Sequence, residues 1–372
     1  MSIERLPVFA AGAGLSVWSL SSAVRTMVVP RPLQSVIARV VFESVRGVLR
    51  VFMGSRPTFE RRDRRMALLG PLSMLLLPAV WLAIVHVGFS AMYWGLQQSR
   101  TARAAYELSG SSLFTLGSRA AGDLPSETLS FVEAGIGIGL LALLITYLPS
   151  LYTSFNRREV AVALLEVRAD NPPSGPNMII RYHLIQWDGG LSAVWKDWEN
   201  WFADLEETHT SLPALVFFRS AQPTQSWVTA AGAVLDAAAL RTSTVDGPRE
   251  PEADLCIRAG YVALRHLSDF FQIPYDPDPH QGDPISVTRA EYDAVCDRLA
   301  AAGVPLRADR DQAWLDFAGW RVTYDAPLIA LAALTMAPDA PWSSDRGAAF
   351  RRPPLVVRQD RSRPSTGGND DG

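Results

Sequence analysis

The chain has 372 residues, of which 48% are hydrophobic and only 20% charged, with a net charge of −3 and a mean hydropathy of +0.07. The charged share falls below the roughly 25% of soluble globular chains, so the composition excludes a disordered or nucleic-acid-binding protein and points to membrane segments. Two cysteines, Cys256 and Cys296, are too few and too far apart for a disulfide framework or a thiolate metal site.

Three uncharged runs come next, each long enough for a bilayer crossing, which takes ~20 residues. The first, Leu6 to Val24, is diluted by Gly12, Gly14 and several serines. The second, Met66 to Ser99, is apolar all round; Pro71 suits a first turn and Pro78 predicts a kink. The third runs from Ala134 to Asn156, between Glu133 and Arg157.

Charge orients the spans. Between Arg25 and Arg65 there are ten arginines and three acids, an excess that the positive-inside rule puts in the cytoplasm. A cleaved signal peptide at the start would put that excess outside, which argues against one. The N-terminus and residues 100–128 then face outward, and everything beyond 157 is cytoplasmic.

Within the inner loop, Leu33, Val36, Ile37, Val40, Val41, Val45, Val48, Leu49 and Phe52 fall at helical 3-4 spacing, with Arg39, Glu43, Arg46 and Arg50 opposite. Such a helix lies along the inner leaflet, its arginines toward anionic lipids, or packs against the soluble half.

Ala102 to Leu116 is mostly small and apolar, too short to cross and return as a helix pair. It suits a re-entrant segment, a short helix dipping in and an extended return. Membrane backbone of this kind needs protein or a water-filled path around it.

Phe114-Thr115-Leu116-Gly117-Ser118, then Gly122-Asp123-Leu124-Pro125, then Gly135, Gly137 and Gly139 in the next helix, occur in the order of a pore helix, filter, outer mouth and inner helix. Over residues 66–156 the chain resembles the potassium-channel pore family, and the amphipathic helix at 33–53 looks like its slide helix. The resemblance implies an all-α membrane protein: three transmembrane helices, a re-entrant pore loop between the last two, and an all-α cytoplasmic domain. It implies a homotetramer, because one loop cannot enclose a path, and K+ or Na+ held by the carbonyls of Thr115, Leu116, Gly117 and Ser118. Ser118 stands where the family has an aromatic, Arg119 where it has a second glycine, and Ala120-Ala121 is an insertion. Passage of monovalent cations is therefore implied, but selectivity for potassium is not. Arg119 would repel cations unless Glu107, Asp123 or Glu127 neutralises it. Gly135, Gly137 and Gly139 read as a gating hinge or as a small-residue packing face. His86, inside the second run, reads as an intramembrane functional group or as an interhelical hydrogen-bond partner.

The expected organisation is a first span at 1–29, a slide-like helix at 30–65, and a pore module at 66–156. The module divides into an outer helix at 66–99, a pore helix and filter-like loop at 101–123, and an inner helix at 129–156. An acidic helical domain at 157–345 and a disordered tail at 346–372 follow. From Glu159 to Asp345 there are 27 acids against 13 bases. Trp195, Trp198, Trp201 and Phe202, and Trp314, Phe317 and Trp320, recur at helical spacing and read as core. Thr288 and Glu291 read as a capping box.

Common catalytic motifs are absent, and the chain does not read as an enzyme. Glu206, Glu207 and His209 with His183, or Asp276, Asp278 and Asp283 with His280, are candidate metal ligands; neither set has standard spacing. No cofactor beyond a permeant ion and no nucleic-acid partner is expected; a cytoplasmic partner or ligand is open. The first reading is a channel-like protein of the plasma membrane, gated or assembled by its cytoplasmic domain. The alternatives are a non-conducting scaffold or signalling protein that keeps the pore fold, and a membrane-anchored enzyme acting through 159–345.

Overall fold

The computed structural model describes residues 5–29, 35–53, 65–96 and 101–347. The tail beyond 347, and the arginines at 31, 56, 61, 62 and 64, lie outside the described residues. The N-terminal half comprises α1 (Leu6–Met27), α2 (Val36–Met53), α3 (Leu69–Leu96), the short α4 (Ala102–Leu113) and α5 (Leu124–Ala169). Of these, α1, α3 and α5 are long and apolar enough to cross a membrane.

The glycines and serines that dilute the first apolar run form its packing face. A Cβ at Gly12 would lie 2.4 Å from the Gly88 carbonyl oxygen, and one at Gly88 would lie 2.3 Å from Ser16 Oγ. Small residues on both sides let the α1 and α3 backbones approach closely. Ser19 Oγ donates to the Trp81 carbonyl (3.2 Å), and Trp81 Nε1 donates to Ser22 Oγ (3.0 Å). The helix α3 runs unbroken through Pro78.

The third helix extends well past the expected 129–156. Its N-terminus is set by Asp123, whose Oδ1 accepts from the Ser126 amide (2.8 Å) with Pro125 in the first turn. Its C-terminus comes only at Asp170, where φ is +67° ahead of two prolines. Arg157 and Arg158 end the apolar run but not the helix, so the boundary expected at 157 falls within a single 46-residue helix that also contains Pro149.

The face of α2 that carries Ile37, Val41, Val45 and Leu49 is buried in the cluster that holds Leu69, Trp81 and Leu215. Val36, Val40, Val48 and Val51 stay exposed beside it. The helix thus has one apolar strip against protein and a second one uncovered, with Glu43 and Arg50 on the remaining arc.

The C-terminal half is helical: α6 (Gly175–Leu184), α7 (Leu191–Ser211), α8 (Trp227–Ser243), α9 (Pro251–Phe270), α10 (Arg289–Ala301), α11 (Arg310–Arg321) and α12 (Asp325–Thr335). The alanine-rich α8 is buried along nearly its whole length, and its small side chains let neighbouring helices close around it. Its one acid, Asp236, pairs with buried Arg321 and accepts from Tyr324 Oη (2.9 Å). Arg321 Nε also donates to Asp325 (2.7 Å). Trp195, Trp198, Trp201, Phe202 and Phe317 lie in this core, with Trp314 and Trp320 packed at its edge. The Thr288–Glu291 capping box forms. Cys256 and Cys296 are buried and unpaired.

The halves meet at Arg158, which is 2% exposed. Its guanidinium donates to the carbonyls of Leu215 (2.8 Å) and Phe218 (2.7 Å), and lies 3.0 Å from His209 Nε2. Beside it, Phe218 fills the space at Gly70, where a Cβ would come within 2.5 Å of the ring.

Burial and then the neighbouring Arg158 charge hold the His209 imidazole well below its ordinary range. The unfolded chain takes up this proton near pH ~6.5 and the folded chain does not. Stability is therefore flat above that value and falls as the pH drops below it, by up to about 1.4 kcal/mol per pH unit. In detergent, acid-dependent unfolding followed by tryptophan fluorescence should show this loss. His209→Gln, which keeps an acceptor for Arg158, should remove that part of the slope; an unchanged slope refutes the assignment.

Candidate functional site

Thr101 starts α4, its side chain accepting from the Ala104 amide (3.2 Å). Ala105, Leu108, Ser109, Ser111 and Leu113 are buried, and the helix packs against α3 and α5. At its C-terminal end the Leu116 amide donates to the Ser111 carbonyl (2.8 Å). Thr115 (φ +53°) and Gly117 (φ +64°) then take left-handed conformations. This is easy for glycine and uncommon for a β-branched residue. Phe114 through Ala120 are all exposed. Thr115, Leu116, Gly117 and Ser118 are thus contiguous and held at their root by α4, and nothing among the described residues covers their tips.

Arg119 is paired, through a carboxylate it shares with Arg103. Its guanidinium pairs with Glu107, which also accepts from Arg103 Nε (2.9 Å), while its amide donates to Ser111 Oγ (3.0 Å). Of the three acids that sequence alone offered as partners, Glu107 is the one that reaches it. Asp123 caps α5 instead.

The three glycines of α5 separate. A Cβ at Gly137 would lie 2.2 Å from the Leu113 carbonyl oxygen, whereas Gly135 and Gly139 have nothing within 4 Å. Gly137 is therefore the close contact within the chain, where the end of α4 crosses α5.

One turn away lies a buried polar cluster. Glu133 on α5 is 0% exposed. Tyr93 Oη on α3 donates to its Oε2 (2.9 Å), and Ser109 Oγ on α4 lies 2.5 Å from its Oε1. Ser109 Oγ is also 2.8 Å from His86 Nδ1 and 3.0 Å from the His86 carbonyl oxygen. The His86 ring meets Tyr106 edge-on at 4.3 Å between centroids. Reading sequence for apolar runs treats Glu133 as the charge that bounds one. The signal that finds it is its spacing from buried Ser126, Gly137 and Leu140, which puts it on the packing face.

Among the described residues no group of three or more His, Cys, Asp or Glu is placed to hold a metal ion. Asp276 accepts from the Asp278 amide (3.0 Å) and Asp283 from the His280 amide (2.7 Å), so both serve their own loop. Glu206 lies 2.5 Å from His266 while His209 is enclosed beside Arg158, so that set is not brought together. A cleft of about 630 Å³ in the C-terminal half is lined by Arg241, Glu250, Tyr261, Arg307 and Trp320. Its arginines are already paired, Arg241 with Glu250 and Arg307 with Asp316. Compared with protein-family models, curated proteins and solved structures, the chain shows no significant match to any.

Gly137→Ala should destabilise the chain by about 1–3 kcal/mol, because the Leu113 backbone cannot yield. Gly135→Ala and Gly139→Ala should be neutral or slightly stabilising, as alanine is the better helix former. Thermal unfolding of the three variants in detergent would separate them; equal effects would show that Leu113 does not set the contact.

Proposed function

We propose that the chain is a pore-loop membrane protein that assembles as a homotetramer in the plasma membrane and passes monovalent cations, K+ or Na+, along a path lined by Thr115 to Ser118. The observation that carries this reading is the uncovered filter-like loop on the end of a short helix wedged between two spans. Its left-handed residues at 115 and 117 turn successive peptide groups, and its tip has no cover among the described residues of one chain. Fourfold assembly supplies the missing cover.

The exposure of α5 supports the same arrangement. Only 17% of its apolar stretch is buried, against 44% for α3, as expected of a helix facing neighbouring copies. Glu107, shared by Arg103 and Arg119, lowers the barrier that Arg119 sets against cations. The continuity of α5 into the C-terminal half, cytoplasmic in this reading, gives that half a helical link to the pore, interrupted in its hydrogen bonding only at Pro149. The exposed valines of α2 and its exposed Arg50 suit the inner leaflet and its anionic lipids.

The test is mass photometry of the solubilised chain and cation flux in liposomes. A tetramer with flux above empty vesicles is expected. Gly117→Val should abolish flux, since a β-branched residue resists φ +64°. Glu107→Gln should lower flux several-fold by freeing the Arg119 charge, and Glu107→Gln/Arg119→Gln should restore it. A monomer or dimer, or wild-type flux no greater than that of Gly117→Val, would overturn conduction. A silent tetramer would leave the scaffold reading.

Orientation is tested separately in intact cells, in a background without native cysteines. An impermeant thiol reagent should label Ser118→Cys and not Asp278→Cys; the reverse would invert the topology.

A further inference from the structure

The contacts around Ser109 pose a problem of proton count. Its hydroxyl has one hydrogen and three polar neighbours: the His86 carbonyl oxygen at 3.0 Å, His86 Nδ1 at 2.8 Å and Glu133 Oε1 at 2.5 Å. The carbonyl only accepts. If Glu133 is ionised, Ser109 must donate to it, and the contact with the carbonyl has no hydrogen. If Glu133 carries the hydrogen, every contact is a hydrogen bond. Glu133 then donates to Ser109, Ser109 to the His86 carbonyl, neutral His86 donates through Nδ1 to Ser109, and Tyr93 donates to Glu133 Oε2.

The surroundings favour the second arrangement. An enclosed carboxylate is expensive unless a cation faces it. The titratable groups around it are His86 and Tyr93 on α3, and Arg103, Tyr106 and Glu107 on α4. Arg119 and Asp123 lie in the loop, Glu127 on α5, and Arg5 beside Trp94 where α1 meets the end of α3. Arg103 and Arg119 are held by Glu107. Arg5 donates to the Trp94 carbonyl and stacks on that ring. Among the described ion pairs none includes Glu133.

We propose that Glu133 is a proton-binding site that locks α4 against α3 and α5. Loss of the proton to hydroxide in alkaline solution turns the Ser109 hydrogen toward the carboxylate, leaves the His86 carbonyl to Ser90 Oγ alone among side chains (2.7 Å), and leaves a charge enclosed between three helices. The seat of α4 then weakens, and the loop on its end moves with it. The lock itself does not depend on conduction; only its effect on flux rests on the function proposed above.

The full chain in liposomes is examined by infrared difference spectroscopy against Glu133→Gln, whose amide donates to Ser109 and accepts from Tyr93 without titrating. At neutral pH the difference should contain the carbonyl band of a protonated carboxylic acid, lost on alkaline titration. Over the same range, amide exchange across 102–113 should rise several-fold in wild type relative to Glu133→Gln. Tyr93→Phe removes a donor that favours the ionised form, so it should move the transition to higher pH; this holds even if Glu133→Gln fails to fold. A carboxylate band at neutral pH, or an unmoved transition in Tyr93→Phe, would overturn the site. Flux that changes across the titration in wild type but not in Glu133→Gln would link the lock to the pore. An intact acid band with no flux in any variant would leave the proton site standing and remove the pore reading alone.

Discussion

A helix of 12 residues such as α4 rises only about 18 Å, little more than half the ~30 Å of bilayer hydrocarbon. It packs between two helices long enough to span, and its last carbonyls need partners there. Much of the N-terminal half answers this constraint. Gly137 lets the Leu113 carbonyl lie on the α5 backbone, Ser111 takes the Arg119 amide, and Ser109 joins α4 to both flanking helices through His86 and Glu133. The left-handed turns at 115 and 117 begin where these partners run out.

The outer helices are fixed by different chemistry. Between α1 and α3 the contact uses small residues and single hydroxyls, since lipid gives no hydrophobic drive to bring apolar helices together. That explains why the least hydrophobic span is also closely packed. Its serines would weaken it as an isolated membrane helix, yet they reach the Trp81 backbone and indole.

How legible this was in sequence depends on which signal a residue carries. The three spans show as uncharged runs, and the Trp195 to Phe202 and Trp314 to Trp320 stripes show as core by their periodicity. The end of α5 does not, because Arg157 and Arg158 carry a charge signal while helix termination depends on backbone chemistry, which comes only at Asp170 and the prolines after it. Glu133 was hidden for the same reason: charge marks the edge of an apolar run only when it faces water. Gly135, Gly137 and Gly139 look alike in sequence, and only the position of the Leu113 carbonyl singles out the middle one. The partner of Arg119 was legible as a short list of acids, and distance chose among them.

The length of α5 decides how the two halves can influence each other. A helix of 46 residues is about 69 Å long, with Asp123 and the loop at one end and the C-terminal half at the other. Arg158 fixes the far part through two carbonyls, those of Leu215 and Phe218, with His209 closing the third side. Hydrogen bonds to a charged group are among the stronger ones, and a buried guanidinium stripped of its acceptors is costly, so this joint resists sliding. A movement of the C-terminal helices therefore tilts or turns the part of α5 that follows Pro149 more readily than it slips along it. Going from Arg158 toward the loop, such a turn meets buried Leu151, Tyr147 and Leu140 first, and then Gly137 with Leu113 and Glu133 with Ser109 on the face of α5 that α4 covers.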